Sequence, residues 1–322
     1  MMQAQWLDAA LGGVFGLLVG SFLNVVIHRV PLMLYREWLR DAVGNLAPIP
    51  DVPSLWRLVM GPSAQAPHAL ESSAAEALAA VDKLGPLNLA QPRSRCGHCD
   101  APIRWWQNVP LLSFALLRGR CSACGGAIGW RYPLVELACG LLFGLCAWRW
   151  GLSPQAALWA TFCALLICQF AIDLDTQLLP DSLNYPLLWL GLAGAALGWT
   201  GVTPASAIWG AVAGYLSLWS VYHLYRLATG KEGMGYGDFK LLAALGAWFG
   251  AEFLLAIILA SSLVGAILGG ALLLTGRLAH KDIHISFGPF LAGAGLLCLI
   301  LGPSALQAWA PFAFPLGTLR IS

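Results

Sequence analysis

Apolar runs separated by short polar loops dominate this chain. The runs are Trp6 to Val30, Leu134 to Trp150, Pro154 to Ile172, Tyr185 to Trp199, Ala205 to Leu227 and Phe287 to Leu301. A further apolar stretch from Lys240 to Thr275 holds 36 residues. At 1.5 Å rise per residue it is too long for one membrane helix. It divides near Gly250–Glu252 into a short segment, Leu241 to Phe249, and a full one, Phe253 to Thr275. Roughly 20 apolar residues cross a bilayer. The pattern therefore predicts an all-α polytopic membrane protein with about eight transmembrane segments, the sixth being short.

Composition agrees: 58% of the 322 residues are hydrophobic and 11% charged, the balance of a membrane protein. The charge is unevenly placed. Of 34 Lys, Arg, Asp and Glu residues, 17 fall between Pro31 and Arg131, so a polar insert interrupts the membrane body. The expected organisation is a first transmembrane helix (1–30), a polar insert (31–131), a transmembrane catalytic bundle (132–304) and a C-terminal tail (305–322). The first run lacks a basic n-region and a small-residue cleavage site, and is read as a retained anchor. A net charge of +2 without a basic stripe gives no support for nucleic acid as a partner. The lipid bilayer is the expected partner.

Cytoplasmic loops carry excess Lys and Arg. The insert holds ten of these residues, from Arg36 to Arg131. With the insert cytoplasmic, alternation puts Asp173–Asn184, Arg226–Lys240 and Arg277–Ser286 on the same side. The last two contain Arg226, Lys231, Lys240, Arg277 and Lys281, whereas the opposite loops and tail contain only Arg149 and Arg320.

Within the insert, residues 45–92 are rich in Ala and Pro, with one helix-compatible stretch from Leu70 to Leu84. A poorly packed excursion is expected there, with an ordered helix on a long loop as the alternative. Residues 93–129 differ. Cys96-Gly97-His98-Cys99 and Cys121-Ser122-Ala123-Cys124 form two C-x-x-C knuckles 21 residues apart. Two such knuckles supply the four thiolates of a tetrahedral, structural Zn²⁺ site. Cys96, Cys99, Cys121 and Cys124 are the expected ligands, with no open position for catalysis. His98 reads as a turn residue. Cys139, Cys146, Cys163, Cys168 and Cys298 lie in apolar runs and behave as small hydrophobes.

Two acids stand out. Asp173 ends one apolar run and Asp238 closes Gly235-Tyr236-Gly237-Asp238 before another. A carboxylate at a membrane-helix centre costs about 2.5–3.5 kcal/mol, less toward the interface, and such residues usually carry function. Two close carboxylates share a proton: one activates water while the other polarises a carbonyl. In Ile172-Asp173-Leu174-Asp175, two residues of helix turn a side chain by about 200°, so both acids cannot serve one partner. Asp173 is the choice and Asp175 the reserve, while Asp181 lies farther along the loop. Gly-Tyr-Gly before Asp238 permits close approach of the backbone. The plainer reading makes these acids helix caps or solvated loop residues.

These motifs together resemble the type IV prepilin peptidases, which are bifunctional leader peptidases and N-methyltransferases. The resemblance runs through Gly20 to Pro31, the two knuckles, Arg131-Tyr132-Pro133-Leu134-Val135-Glu136, Ile172 to Asp181 and Lys231 to Lys240. It implies Asp173 and Asp238 as the catalytic pair of a GxGD-type aspartic protease in a bacterial inner membrane. The implied activity removes the leader of prepilins and pseudopilins at the cytoplasmic face, then methylates the new N-terminal residue with S-adenosylmethionine. The long Ala/Pro stretch departs from the family pattern. No Gly-x-Gly-x-x-Gly fingerprint in a strand–helix context marks a methyl-donor site. Glu136 and the His28-Arg29 pair are candidates for it, though Glu136 also suits a first helical turn and His28-Arg29 an interfacial anchor. Competing readings are a peptidase without methyl transfer, a proton- or ion-coupled transporter using the acids at mid-membrane depth, and a zinc-stabilised assembly protein.

Overall fold

The computed structural model describes residues 2–47, 55–274, 286–309 and 311–313. The described residues form an all-helical protein, 74% helix and without strands. The helices are α1 (Met2–Gly44), α2 (Leu55–Met60), α3 (His68–Asp82), α4 (Leu112–Leu116), α5 (Arg131–Trp150), α6 (Pro154–Thr176), α7 (Asp181–Ala196), α8 (Pro204–Thr229), α9 (Tyr236–Phe249), α10 (Leu254–Leu274), α11 (Gly288–Leu301) and α12 (Pro303–Trp309). Four helical stretches, within 3–44, 131–150, 154–176 and 251–271, are long and apolar enough to cross a membrane. Helices occupy all eight predicted segments, but length and hydropathy alone support crossing for these four. Arg277, Lys281 and Arg320, used above for orientation, lie outside the described residues.

The chain divides into two compact units, residues 1–27 with 104–322, and residues 28–103. In the larger unit, local signals set the helix ends. Ser153 caps α6 by accepting from Ala156 N–H at 3.1 Å, with Pro154 following. Thr203 caps α8 by accepting from Ser206 N–H at 3.2 Å, ahead of Pro204. A hydroxyl at the N-cap followed by proline is a favoured helix start. At the other end of α6, Gln177 adopts the left-handed conformation, φ 56°, and its N–H closes onto the Asp173 carbonyl.

Small residues bring helices together. Along α1, a Cβ at Gly12 would lie 2.6 Å from Ala147 Cβ, and one at Gly16 would lie 2.6 Å from Phe143 Cβ. At Gly20 it would lie 2.7 Å from Glu136 Cα. The four-residue glycine spacing thus makes one antiparallel seam against α5, the close packing that small residues allow in membranes. Gly210 and Gly246 meet backbone to backbone between α8 and α9, and a Cβ at Gly214 would fall 2.6 Å from the Leu242 carbonyl.

The sixth predicted segment proves to be the most enclosed helix. Leu241, Leu242, Ala244, Leu245, Ala247 and Trp248 of α9 are fully buried. Protein surrounds this helix, so its 14 residues need not match the hydrocarbon thickness. Trp248 donates its indole N–H to the Leu187 carbonyl at 2.8 Å and packs with Trp159 and Phe162. Trp209, Leu263 and Ile267 point outward, more than half exposed, as residues facing acyl chains would.

In the smaller unit the helix does not stop at Val30. α1 continues through Pro31 to Gly44, 43 residues in all, about 65 Å at 1.5 Å per residue. The stretch expected to be a loose excursion is pinned to it. Arg29, buried, donates to the Asn88, Leu89 and Pro92 carbonyls. Arg36 donates to the Gly85 and Leu84 carbonyls at 2.6 and 2.9 Å, and Arg40 pairs with Asp82 at 3.1 Å. Cations at the C-terminal end of α3 satisfy orphan carbonyls and oppose the helix dipole. Composition shows Ala and Pro in this stretch but not these bonds. Residues 48–54 lie outside the described residues.

Candidate active site

Asp173 stands in the last turn of α6, only 3% exposed. Its carboxylate accepts from the Ser286 hydroxyl and from the Gly288 N–H. Asp238 stands in the first turn of α9, 7% exposed. There the Gly235 N–H donates back to its carboxylate, half of a capping box in which an acid at the third position serves the N-cap amide. Asp238 precedes the apolar stretch 241–249. Burial, and then the charge of Asp173, push its carboxyl from 3.8 up to about 7. The two acids thus influence each other electrostatically across the bundle, each at a helix end.

The neighbouring acids are engaged elsewhere. Asp175, the reserve candidate, pairs with Arg131. Asp181 accepts both 2.6 and 2.8 Å bonds from Lys240. Among the described residues no cation pairs with Asp173 or Asp238, and burial separates them from these two exposed acids.

Glycine makes the site compact. A Cβ at Gly237 would lie 2.7 Å from Leu179 Cβ. One at Gly288 would lie 3.0 Å from both Asp173 Cγ and Leu179 Cδ1. Leu179, from the loop after α6, therefore sits against the backbones of both Gly237 and Gly288. Ser286 and Gly288 were not singled out from the sequence. The signal that was present is Phe287-Gly288-Pro289 at the start of the last apolar run, a glycine and proline where a helix opens.

The cysteine knuckles are tight turns with amides directed at sulfur. His98 N–H reaches Cys96 Sγ at 3.5 Å, Ala123 N–H reaches Cys121 Sγ at 3.4 Å, and Gly126 N–H reaches Cys124 Sγ at 3.4 Å. Such donors stabilise thiolates, the form that binds metal. The four Sγ atoms lie within 4.8 Å of one another, a spacing that suits a Cys₄ shell with metal–sulfur bonds of about 2.3 Å. The donor set therefore fits a zinc ion.

The methyl-donor candidates fare differently. Arg29 serves the 88–92 carbonyls, as described. Glu136 is buried and accepts from the Leu111 N–H at 2.9 Å. Isolated bridges, Arg95 with Pro102 and Arg120 with Ala127, are the extended pairings among the described residues, so no strand–turn–helix dinucleotide fold is present there.

Two family models match the chain. Residues 14–150 match the bacterial peptidase A24 N-terminal domain, and residues 160–270 match the type IV leader peptidase family. A prepilin leader peptidase/N-methyltransferase of Stutzerimonas stutzeri is 49% identical over 93% of each chain. Proteins of the same name from Pseudomonas aeruginosa and Neisseria gonorrhoeae are 46% and 43% identical, over 92% of each chain. No solved structure matches. Both buried aspartates fall within the second matched region, and the chain belongs to the type IV leader peptidase family.

Proposed function

We propose that this chain is a bifunctional enzyme of the bacterial inner membrane. It removes the leader of type IV prepilins and pseudopilins at the cytoplasmic face, then methylates the new α-amino group, usually of Phe, with S-adenosylmethionine. The observation that carries the reading is the pair of buried acids, Asp173 and Asp238, coupled in charge and held at helix ends. Their place argues against a mid-membrane ion path. The positive loops argue for the cytoplasmic side.

The surroundings divide the labour. Burial opposes the ionised form of Asp173, and the O–H and N–H it receives offset part of that effect. Asp238, raised to about 7, holds the shared proton. Asp173 takes a proton from water as the oxygen attacks the scissile carbonyl, and Asp238 protonates the carbonyl oxygen. On collapse the carbon–nitrogen bond breaks as Asp173 passes its proton to the departing amide nitrogen and Asp238 takes back a hydroxyl proton, freeing the amine and restoring the pair. Cys96, Cys99, Cys121 and Cys124 hold a structural Zn²⁺ that ties the two knuckles and takes no part in this step.

The test is cleavage by Asp173→Asn and Asp238→Asn in purified, folded protein, assayed on prepilin. Each variant is expected to lose about 10³-fold or more in rate, the upper part of the range for a positioned acid or base. Cleavage retained in both variants defeats the mechanism.

A further inference from the structure

The two matched regions divide the acids as well as the chain. Asp173 and Asp238 lie in 160–270, the peptidase region. Residues 14–150 contain neither, so the chemistry of the second activity has to be sought there first. Within that range the buried polar residues are Asn24, Arg29, Ser113 and Glu136, and Glu136 is the one buried carboxylate among the described residues. Arg29 is already bound to loop carbonyls. Ser113 lies in the short helix α4, whereas Glu136 and Asn24 sit on the facing helices α5 and α1.

Their setting is a polar break in the glycine seam of α1 and α5. Asn24 donates to the Tyr132 carbonyl of α5 at 3.2 Å and to the Gly20 carbonyl of its own helix at 3.3 Å. Gly20 packs directly on Glu136 Cα. Glu136 Oε2 accepts from Leu111 N–H, and Ser21 adds a side-chain bond to the same carboxyl. Asn24 Oδ1 is buried and has no hydrogen-bond partner among the described residues. Leaving such an acceptor unmade costs about 1–3 kcal/mol. Tyr132 precedes Glu136 by four residues on α5 and Gly20 precedes Asn24 by four on α1, so the carboxylate and the amide belong to adjacent turns of one seam. Two acceptors in such a seam suit a positively charged group rich in N–H donors.

An α-ammonium group has that chemistry, and peptide cleavage generates one close by. Arg131 opens α5 and pairs with Asp175, two residues beyond Asp173. Glu136 lies five residues further along α5, about 7.5 Å by helical rise. The Arg131–Asp175 pair thus ties the helix that carries Glu136 to the helix that carries Asp173.

We propose that Glu136 and Asn24 form the amine site of the methyl-transfer reaction, with Glu136 as its base. This rests on the bifunctional reading above and assigns it a place. The new α-ammonium donates to Glu136 and Asn24 Oδ1. Glu136 takes one proton, leaving a neutral amine. Its nitrogen lone pair forms the new bond to the methyl carbon of S-adenosylmethionine. The carbon–sulfur bond breaks with its electron pair on sulfur, giving the neutral thioether, S-adenosylhomocysteine. The product is a methylated ammonium, and Glu136 is restored by releasing the proton it took to solvent. Ser21 orients the carboxyl and acts only through it.

The experiment uses the full chain in detergent with prepilin and labelled S-adenosylmethionine, reading cleavage and methylation of the same product by mass. Glu136→Gln keeps an oxygen for Leu111 N–H but cannot accept the proton. It is expected to retain cleavage while methylation falls about 10²-fold. Binding of a leaderless pilin N-terminal peptide, without methyl donor, gives a second readout. Wild-type protein should prefer the free amine over its N-acetylated form by about tenfold, and Glu136→Gln or Asn24→Leu should erase that preference. Methylation undiminished in Glu136→Gln overturns the proposal. So does parallel loss of cleavage and methylation, which makes Glu136 a latch for the 108–111 loop. A wild-type product that is cleaved but never methylated fails the bifunctional reading itself, a different result.

Discussion

Gly288→Ala tests whether the position of Asp173 is set by backbone contact with α11. The added Cβ would stand 3.0 Å from Asp173 Cγ, nearer still to its Oδ2, and 3.0 Å from Leu179 Cδ1. Carbon atoms at rest sit about 3.5–4.0 Å apart, so the carboxylate or the start of α11 has to yield by about 0.5–1 Å. Leu179 can rotate, whereas Asp173 is held by Ser286 and by the Gly288 amide itself. A displacement of about 1 Å at a reacting group costs on the order of 10²-fold in rate. The same crowding costs about 1–3 kcal/mol of stability. Gly293→Ala is the matched control on the same helix, since nothing lies within 4 Å of its added Cβ. That variant should cleave normally and melt no lower than wild type. Prepilin cleavage kinetics and thermal unfolding in detergent measure both. Wild-type kcat in Gly288→Ala, with Asp173 still required, would show that this glycine does not position the acid.

Because Asp238 must hold its proton, kcat/KM for cleavage should fall above about pH 7, tenfold per pH unit; a flat profile to pH 9 contradicts its role as the acid. The folded pKa of about 7 lies above the ordinary 3.8, so the folded state keeps this proton where the unfolded chain loses it. Stability therefore declines from about pH 4 to pH 7, by up to about 4 kcal/mol. Asp238→Asn should remove that decline and melt higher than wild type at pH 8, while remaining inactive. Elemental analysis should find about one zinc per chain, lost in Cys96→Ser/Cys99→Ser; wild-type protein free of metal after purification without chelators speaks against the Cys₄ site.

The apolar runs placed the helices because membrane segments advertise themselves by composition alone. Capping residues such as Ser153-Pro154 and Thr203-Pro204 are local signals and were equally available. The C-x-x-C spacing and the Gly-Tyr-Gly-Asp motif named the chemistry of both sites, because a knuckle and a helix start are built from adjacent residues. Other features were out of reach. Arg29 and Arg36 bind carbonyls, and Arg40 a carboxylate, 42 to 63 positions away, so the Ala/Pro stretch read as loose. Pro31 read as a boundary, yet α1 runs through it, since one missing N–H does not outweigh the contacts on either side.

What the sequence by itself determined was the class of protein, the family, and the identity of the candidate acids and thiols. Each depends on short-range pattern. Only the tertiary structure separated Asp173 from Asp175 by burial and pairing, put Ser286 and Gly288 beside it, and placed Asn24 and Glu136 in one seam between α1 and α5. These are relations between helices distant along the chain. They arise from which faces pack together, and no window of neighbouring residues encodes that.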